Sequence, residues 1–193
     1  MPRLTFTRAV LAISVFGLAP QYLSAEQNDT QTELTQEARV LVARFADQLK
    51  PQLKHALQAG GPAHAVGVCA ETAPAIARNL GIESGWIIRR ASDKNRNPAA
   101  QADTWEQARI DAFKAAALAG KTQGLEYSEQ TAEGFRYAKA QLTEGLCLAC
   151  HGKQLDDSTS DALHRFYPED RARGYELGEV RGIFSLLKPA GDE

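Results

Sequence analysis

The chain has 193 residues, and its 22 basic and 24 acidic side chains give a formal net charge of −2 at pH 7. No segment concentrates enough positive charge to predict binding of nucleic acid. The length is that of a single domain large enough to bury a substantial hydrophobic core.

Residues 1–25 have the pattern of a secretory signal peptide. Arg3 and Arg8 make its start positive, and an apolar stretch follows over residues 9–19. About eleven apolar residues are too few to span a bilayer, and a small-residue cleavage site ends at Ala25. The pattern predicts export to the periplasm and cleavage, without stable membrane insertion afterwards. The alternative is that the segment is retained as a membrane anchor.

The remaining residues, 26–193, are predicted to form one domain. Its first residues, 26–32, are polar and predict a loose N-terminus. From Leu34 to Leu53, apolar residues recur every three or four positions, which predicts a long amphipathic helix. Gly60-Gly61-Pro62 is expected to end that helix.

A second helix is predicted from Val66 to Leu80, again from the spacing of apolar residues. Pro74 is expected to kink or divide it, because the proline ring clashes with the preceding helical turn. Cys69 falls on the apolar face. A buried cysteine often serves only as a small hydrophobic residue, so this position alone assigns it no role.

A strand, a loop and a capped helix are predicted next. Trp86 to Ser92 has the apolar composition of a strand, and residues 93–102 form a polar loop. Asp103 precedes a helix predicted over residues 104–120. Glu106 lies three residues after Asp103, which is the spacing of a capping box.

Short strands dominate the rest of the chain. Residues 125–127, 134–142 and 180–187 have strand composition, and a short helix is expected before Tyr167-Pro168. Helices first and short strands afterwards predict an α+β domain rather than an all-helical one.

Cys147, Cys150 and His151 form a C-x-x-C-H motif, which is typical of covalent c-type haem attachment. The two thiols can add to the vinyl groups of one porphyrin, and the adjacent imidazole can ligate its iron. A thioredoxin-like dithiol needs a βαβ context, and a structural zinc site needs a second pair of ligands. The sequence predicts neither, so we expect one covalent haem c. Such attachment occurs outside the bacterial cytoplasm, which agrees with the signal peptide.

The second axial ligand of the haem decides the function. The single methionine, Met1, lies in the predicted signal peptide, so cleavage excludes the His/Met ligation of ordinary electron carriers. The sequence leaves several candidates: Cys69, His55, His64, His164, a lysine, a tyrosine or an open site.

A small basic cluster, Arg89, Arg90, Lys94 and Arg96, stands out in an otherwise acidic protein. Arginine binds carboxylates in a bidentate manner, so Arg89, Arg90 and Arg96 are candidates to bind the haem propionates. The alternatives are a solvated loop or a contact with a partner protein.

Several stretches together resemble a family of exported c-type haem domains with a PAS-like fold, which occur alone and fused to histidine kinases and other signal transducers. The stretches are Val68-Cys69-Ala70 with Ala73-Pro74-Ala75-Ile76-Ala77, Arg89-Arg90-Ala91-Ser92, Arg96-Asn97-Pro98 with Trp105-Glu106, Cys147 to Gly152, and Tyr167 to Asp170 with Ala172, Gly174-Tyr175, Gly178 and Arg181-Gly182.

The resemblance implies a PAS-like antiparallel sheet with flanking helices, a long N-terminal helix and a single haem. It also implies that Cys69 is the distal ligand. One difference is Ala100, where the family tends to have asparagine.

These features predict an exported monohaem c-type cytochrome-like protein that acts as a redox or diatomic-gas sensing module. Such a module needs a separate redox or signalling partner protein, because no kinase or DNA-binding segment is evident. The alternative is a periplasmic electron-transfer protein. An enzyme is less favoured, because few distal acid or base groups are available.

Overall fold

The computed structural model describes residues 19–191, with side chains from residue 29 onward. Residues 1–18 of the predicted signal peptide lie outside the described residues. The elements in chain order are α1 (Ala19–Ser84), β1 (Ile87–Ala91), a short 3-10 helix (Pro98–Ala100), α2 (Thr104–Leu118), β2 (Glu126–Thr131), β3 (Gly134–Leu142), α3 (Gly145–His151), α4 (Asp157–Phe166) and β4 (Val180–Pro189).

The four strands form one antiparallel sheet in the order β1-β4-β3-β2. The last strand of the chain is central, because β4 pairs with both β1 and β3. Leu186 stands opposite Ile88 on one side and Tyr137 on the other, and all three side chains are buried. Near its start, β4 passes β1 closely at Gly182, where a Cβ would lie 2.4 Å from the Ala91 carbonyl oxygen.

Helices cover both faces of the sheet. On one face, α1 packs Leu41 and Phe45 against Trp86, Ile88 and Leu186. On the other face, α2 packs Ile110 and Phe113 against a second cluster that includes Ala91, Ala138 and Ile183. Neighbouring residues of a strand point to opposite faces, so each strand contributes to both clusters. Helix α4 packs separately on α1, through Leu163 against Val66.

Helix α1 differs from the prediction in two ways. Residues 26–32, predicted to be loose, lie inside the helix. Pro74 does not divide the predicted second helix, because the buried neighbours Ala73 and Ile76 pack into the core and hold the helical backbone there. The backbone of α1 leaves helical dihedrals only at Gly60 and Gly61, where the prediction placed the break.

The α+β prediction is confirmed, with an antiparallel sheet, flanking helices and a long N-terminal helix, an arrangement compatible with a PAS-like fold. Strand β2 is longer than predicted, because its polar residues continue the ladder with β3 as far as Thr131 opposite Gly134. An edge strand of this kind lacks the apolar alternation that sequence analysis looks for. No helix among the described residues has the length and apolar character that crossing a membrane requires.

The predicted capping box at the start of α2 is present and leads to a stability prediction. Asp103 Oδ1 accepts from the Glu106 backbone N–H at 2.7 Å, and Glu106 Oε2 accepts from the Asp103 N–H at 2.9 Å. We expect Asp103→Ala to lower the free energy of unfolding by about 1 kcal/mol, measured by urea denaturation. Asp103→Asn keeps a capping oxygen, so it should lower the free energy of unfolding by clearly less. Equal losses in the two variants would instead attribute the effect to the Asp103–Arg136 ion pair.

Candidate functional site

A cleft lies where the second half of α1, the start of the loop after β1, α3 and the segment 167–181 meet. It encloses about 1070 Å³ between its walls, including its open mouth. Its apolar wall includes Leu49, Leu53, Ala65, Val66 and Leu146.

Most of the residues singled out from the sequence come together in this cleft. Cys69 from α1, Arg90 from β1, Arg96 from the following loop, and Cys147, Cys150 and His151 from α3 all line it. His55, His64 and His164, the three histidines considered as axial ligands, are not among its lining residues. Lys94 and Tyr167 do line the cleft, so they remain candidates beside Cys69.

His151 presents one ring nitrogen to the cleft. Its Nδ1 lies 2.7 Å from the Ala172 carbonyl oxygen, which can only accept, so Nδ1 carries the proton and Nε2 keeps a lone pair. Burial, together with Arg181, Arg96 and Arg90, holds the pKa of His151 well below its usual value. The ring is therefore neutral at pH 7, and a neutral imidazole with an unprotonated Nε2 is the form that ligates a metal.

Backbone contacts hold the C-x-x-C-H segment against the segment 172–175. The Tyr175 N–H donates to the His151 carbonyl at 2.9 Å, and the Gly174 N–H donates to the Gly152 carbonyl at 3.0 Å. The Tyr175 ring also contacts the His151 ring edge-on, with the centroids 6.3 Å apart. The segment 172–175 therefore determines the position of α3 and the orientation of His151.

Two arginines in the cleft have no acidic partner. Within residues 29–191, no carboxylate pairs with the guanidinium of Arg90 or Arg181, and Arg181 Nε is buried without a hydrogen bond. Burial and the neighbouring Arg181 lower the pKa of Arg90 to about 10. Burial also lowers the pKa of Arg181. Because buried charge without a counter-charge is costly, the cleft is suited to an anionic group.

Sequence reasoning missed Arg181, whose Nη1 lies 3.4 Å from His151 Nε2. The residue belongs to one of the stretches that carry the family resemblance, but that resemblance assigned it no role. The only local indication was its place at the start of the last predicted strand. Its proximity to His151 arises from the central position of β4, which the sequence did not predict.

Arg89 does not belong with the other arginines. It donates to the carbonyls of Ala99 and Gln101 at 3.0 and 2.7 Å, and its Nε lies 3.6 Å from Glu106. The grouping of Arg89 with Arg90 at the cofactor site is therefore corrected. Neighbouring residues of β1 face opposite sides of the sheet, so Arg90 faces the cleft and Arg89 faces α2.

The three cysteines are all unpaired and partly buried. Burial raises the pKa of the Cys69 thiol, and Arg90, Arg96 and Arg181 oppose that shift only in part. Burial likewise raises the pKa of Cys150. The cleft thus brings together two thiols and an imidazole from one short helix and a third thiol from another helix.

Comparison with known proteins assigns the chain to a family. Residues 21–189 match the model of the Tll0287-like family, and the chain belongs to that family. Among solved structures, the chain is similar to the cyanobacterial heme-protein Tll0287, with a TM-score of 0.60 and 22% identity over 81% of this chain and 98% of that chain. At this identity, the similarity establishes the fold. No curated protein sequence matches the chain.

The end of α3 provides a test of how tightly the segment is held. A Cβ at Gly152 would lie 2.7 Å from the Leu148 carbonyl oxygen, whereas a Cβ at Gly145 would meet nothing within 4 Å. We expect Gly152→Ala to lower the free energy of unfolding by about 1–3 kcal/mol, because the helix end must shift. Gly145→Ala, at the other end of the same helix, should leave stability unchanged or slightly higher. Urea denaturation measures both, and equal effects would contradict the close approach.

Proposed function

We propose that the protein is an exported c-type cytochrome-like protein that carries one covalent haem in this cleft and acts as a redox or diatomic-gas sensing module. The observation that carries the proposal is the convergence of Cys147, Cys150 and His151 with Cys69 in one cleft. A relative in the family, Tll0287, is a heme-protein, which supports the cofactor assignment.

The cleft fits such a group in its apolar lining and its charge. Its apolar wall suits a large planar ligand, and its unpaired arginines suit a ligand with two carboxylates. Arg90 and Arg181 are the residues that would pair with the propionates, because neither has a carboxylate partner within the described part of the chain. When bound, haem supplies an iron that changes oxidation state and can bind diatomic gases.

The residues of α3 would hold the group. Cys147 and Cys150 would each form one thioether bond through Sγ, and His151 would ligate through Nε2. The bond from His151 Nδ1 to the Ala172 carbonyl fixes the tautomer and the ring orientation, as the outer partner of a metal-bound histidine usually does.

Cys69 would provide a second protein ligand to the iron, because it lines the same cleft as His151. A soft thiolate ligand favours the ferric state and lowers the reduction potential. Burial of Cys69 raises its pKa, so the sulfur readily takes up a proton when it does not ligate. A thiolate ligand that left the iron on reduction would require a large rearrangement, which would suit sensing better than fast electron transfer.

We also propose that the protein works in the periplasm with a redox or signalling partner. The predicted signal peptide supports the location, as does the need to attach a c-type haem outside the cytoplasm. Partner binding would carry the signal onward from the redox or ligation state of the cleft.

The first test of the proposal is attachment. The intact mass of the purified protein should exceed that of the cleaved polypeptide by one haem, and the haem should remain after acid-acetone extraction. A double variant, Cys147→Ala with Cys150→Ala, should carry no covalent haem, whereas Cys69→Ala should keep it. Haem that extracts completely from correctly exported wild-type protein would contradict c-type attachment.

The second test identifies the axial ligand. We expect ferric wild-type protein to be low-spin with the electron paramagnetic resonance signature of thiolate ligation. Cys69→Ala should lose that signature and raise the reduction potential. Tyr167→Phe is the matched control, because Tyr167 lines the same cleft and carries the competing donor oxygen. A ferric spectrum that is unchanged in Cys69→Ala but altered in Tyr167→Phe would assign the ligand to Tyr167.

The same samples separate sensing from electron transfer. Ferrous wild-type protein should bind carbon monoxide or nitric oxide once Cys69 releases. A positive potential, fast self-exchange and indifference to both gases would favour a periplasmic electron-transfer protein.

A further inference from the structure

The carbonyl of Ala172 serves two donors at once. Its oxygen accepts from His151 Nδ1 at 2.7 Å and from Arg96 Nη2 at 3.2 Å. A carbonyl oxygen has two lone pairs, so both bonds form together. A cationic donor on one lone pair reduces the electron density that the oxygen offers to the imidazole N–H on the other.

Arg96 reaches this carbonyl from a rigid position. The second proton of the same Nη2 nitrogen points to the Cys150 carbonyl oxygen, 2.5 Å away. That carbonyl lies in the last turn of α3, where backbone oxygens have no partner inside the helix. One nitrogen therefore ties the end of the C-x-x-C-H helix to the residue that orients its histidine.

Asp170 holds both Arg96 and Ala172 in place. Its side chain is 1% exposed, and its Oδ1 accepts from Arg96 Nε and from the Ala172 N–H, each at 3.0 Å. Its Oδ2 accepts from Arg173 Nε at 2.7 Å. Burial opposes ionisation of Asp170, yet Arg96, Arg173 and the Ala172 N–H together keep its pKa below the usual value.

We propose that Arg96, anchored by Asp170, is a positioning residue that tunes His151 as a ligand by sharing the Ala172 carbonyl. The inference rests on the proposed haem ligation by His151 and extends it to the reduction potential. With Arg96 in place, the hydrogen bond from His151 Nδ1–H to the Ala172 carbonyl is weaker, so the ring donates less electron density through Nε2. Outer partners of metal-bound histidines act in this way on ligand basicity.

The direct test compares two substitutions of Arg96 in the full-length, haem-loaded protein. Arg96→Lys keeps the charge, but a lysine ammonium on a flexible stem does not reproduce the fixed contacts to Asp170, Cys150 and Ala172. We expect Arg96→Lys to lower the reduction potential. The Ala172 carbonyl, no longer shared with Arg96, then accepts a stronger hydrogen bond from His151 Nδ1, and the more electron-rich imidazole stabilises ferric iron. Arg96→Gln should shift the potential in the same direction and further, since it also removes a positive charge.

Arg173→Gln is the matched control. Arg173 binds the other oxygen of the same Asp170 carboxylate, but it makes no side-chain contact with the Ala172 carbonyl. Its removal should change the potential less than Arg96→Lys does, although it removes a charge and Arg96→Lys does not. A larger shift in Arg173→Gln than in Arg96→Lys would show that net charge sets the potential, and it would overturn the inference.

A second readout distinguishes tuning from simple loosening of the site, which can also lower the potential by admitting water. The His151 Nδ1 proton in the low-spin ferric protein should exchange with solvent more slowly in Arg96→Lys than in wild type, because its hydrogen bond is stronger. Faster exchange, or an unchanged potential, would reduce Arg96 to a structural role.

Potentials are measured on the haem-loaded fraction, whatever its yield. A wild-type chain without haem would overturn the proposed function and this inference together, whereas unresponsive loaded variants would overturn only the inference.

Discussion

The hydrogen bond between His151 Nδ1 and the Ala172 carbonyl is the interaction on which the site depends. Because a carbonyl only accepts, this contact puts the ring proton on Nδ1 and leaves the lone pair on Nε2, which Arg181 Nη1 approaches to 3.4 Å. The neighbouring backbone bonds at Gly174 and Tyr175 keep the two segments in register. The tautomer and orientation of His151 at the end of α3 are thus determined by residues more than twenty positions later in the chain.

Charge in the cleft follows a second constraint. Arg96 is satisfied by Asp170 and two carbonyls, so it behaves as part of the framework. Arg90 and Arg181 have no such acidic partners among the described side chains, and their burial is unfavourable unless an anion joins them. The loop after β1 therefore supplies one arginine that is held in place beside the Ala172 carbonyl, and β1 and β4 supply two that are available to a ligand.

The alternation of side chains across the sheet separates the arginines that support the fold from those that enter the cleft. Residues alternate between the α1 face and the α2 face along β1, so two adjacent arginines serve different sites: Arg89 supports the start of α2 near Glu106, and Arg90 enters the cleft. The central position of β4 brings Arg181 beside His151. A shift of one residue in the β1–β4 register would reverse which side chains reach the cleft.

Local pattern alone determined much of this protein. The spacing of apolar residues predicted the helices on either side of Gly60-Gly61, and the Asp103 capping box predicted the start of α2, because each depends on residues close together in the chain. The C-x-x-C-H motif places two thiols and an imidazole within five residues, but the helix α3 that carries them was not predicted. Pro74 and strand β2 were misjudged, since core packing and ladder pairing override local preference there. Only the tertiary structure placed Cys69 beside α3, separated Arg89 from Arg90 and brought Arg181 and Asp170 to the site. Those relations depend on strand order and on contacts between distant segments, which no local pattern encodes.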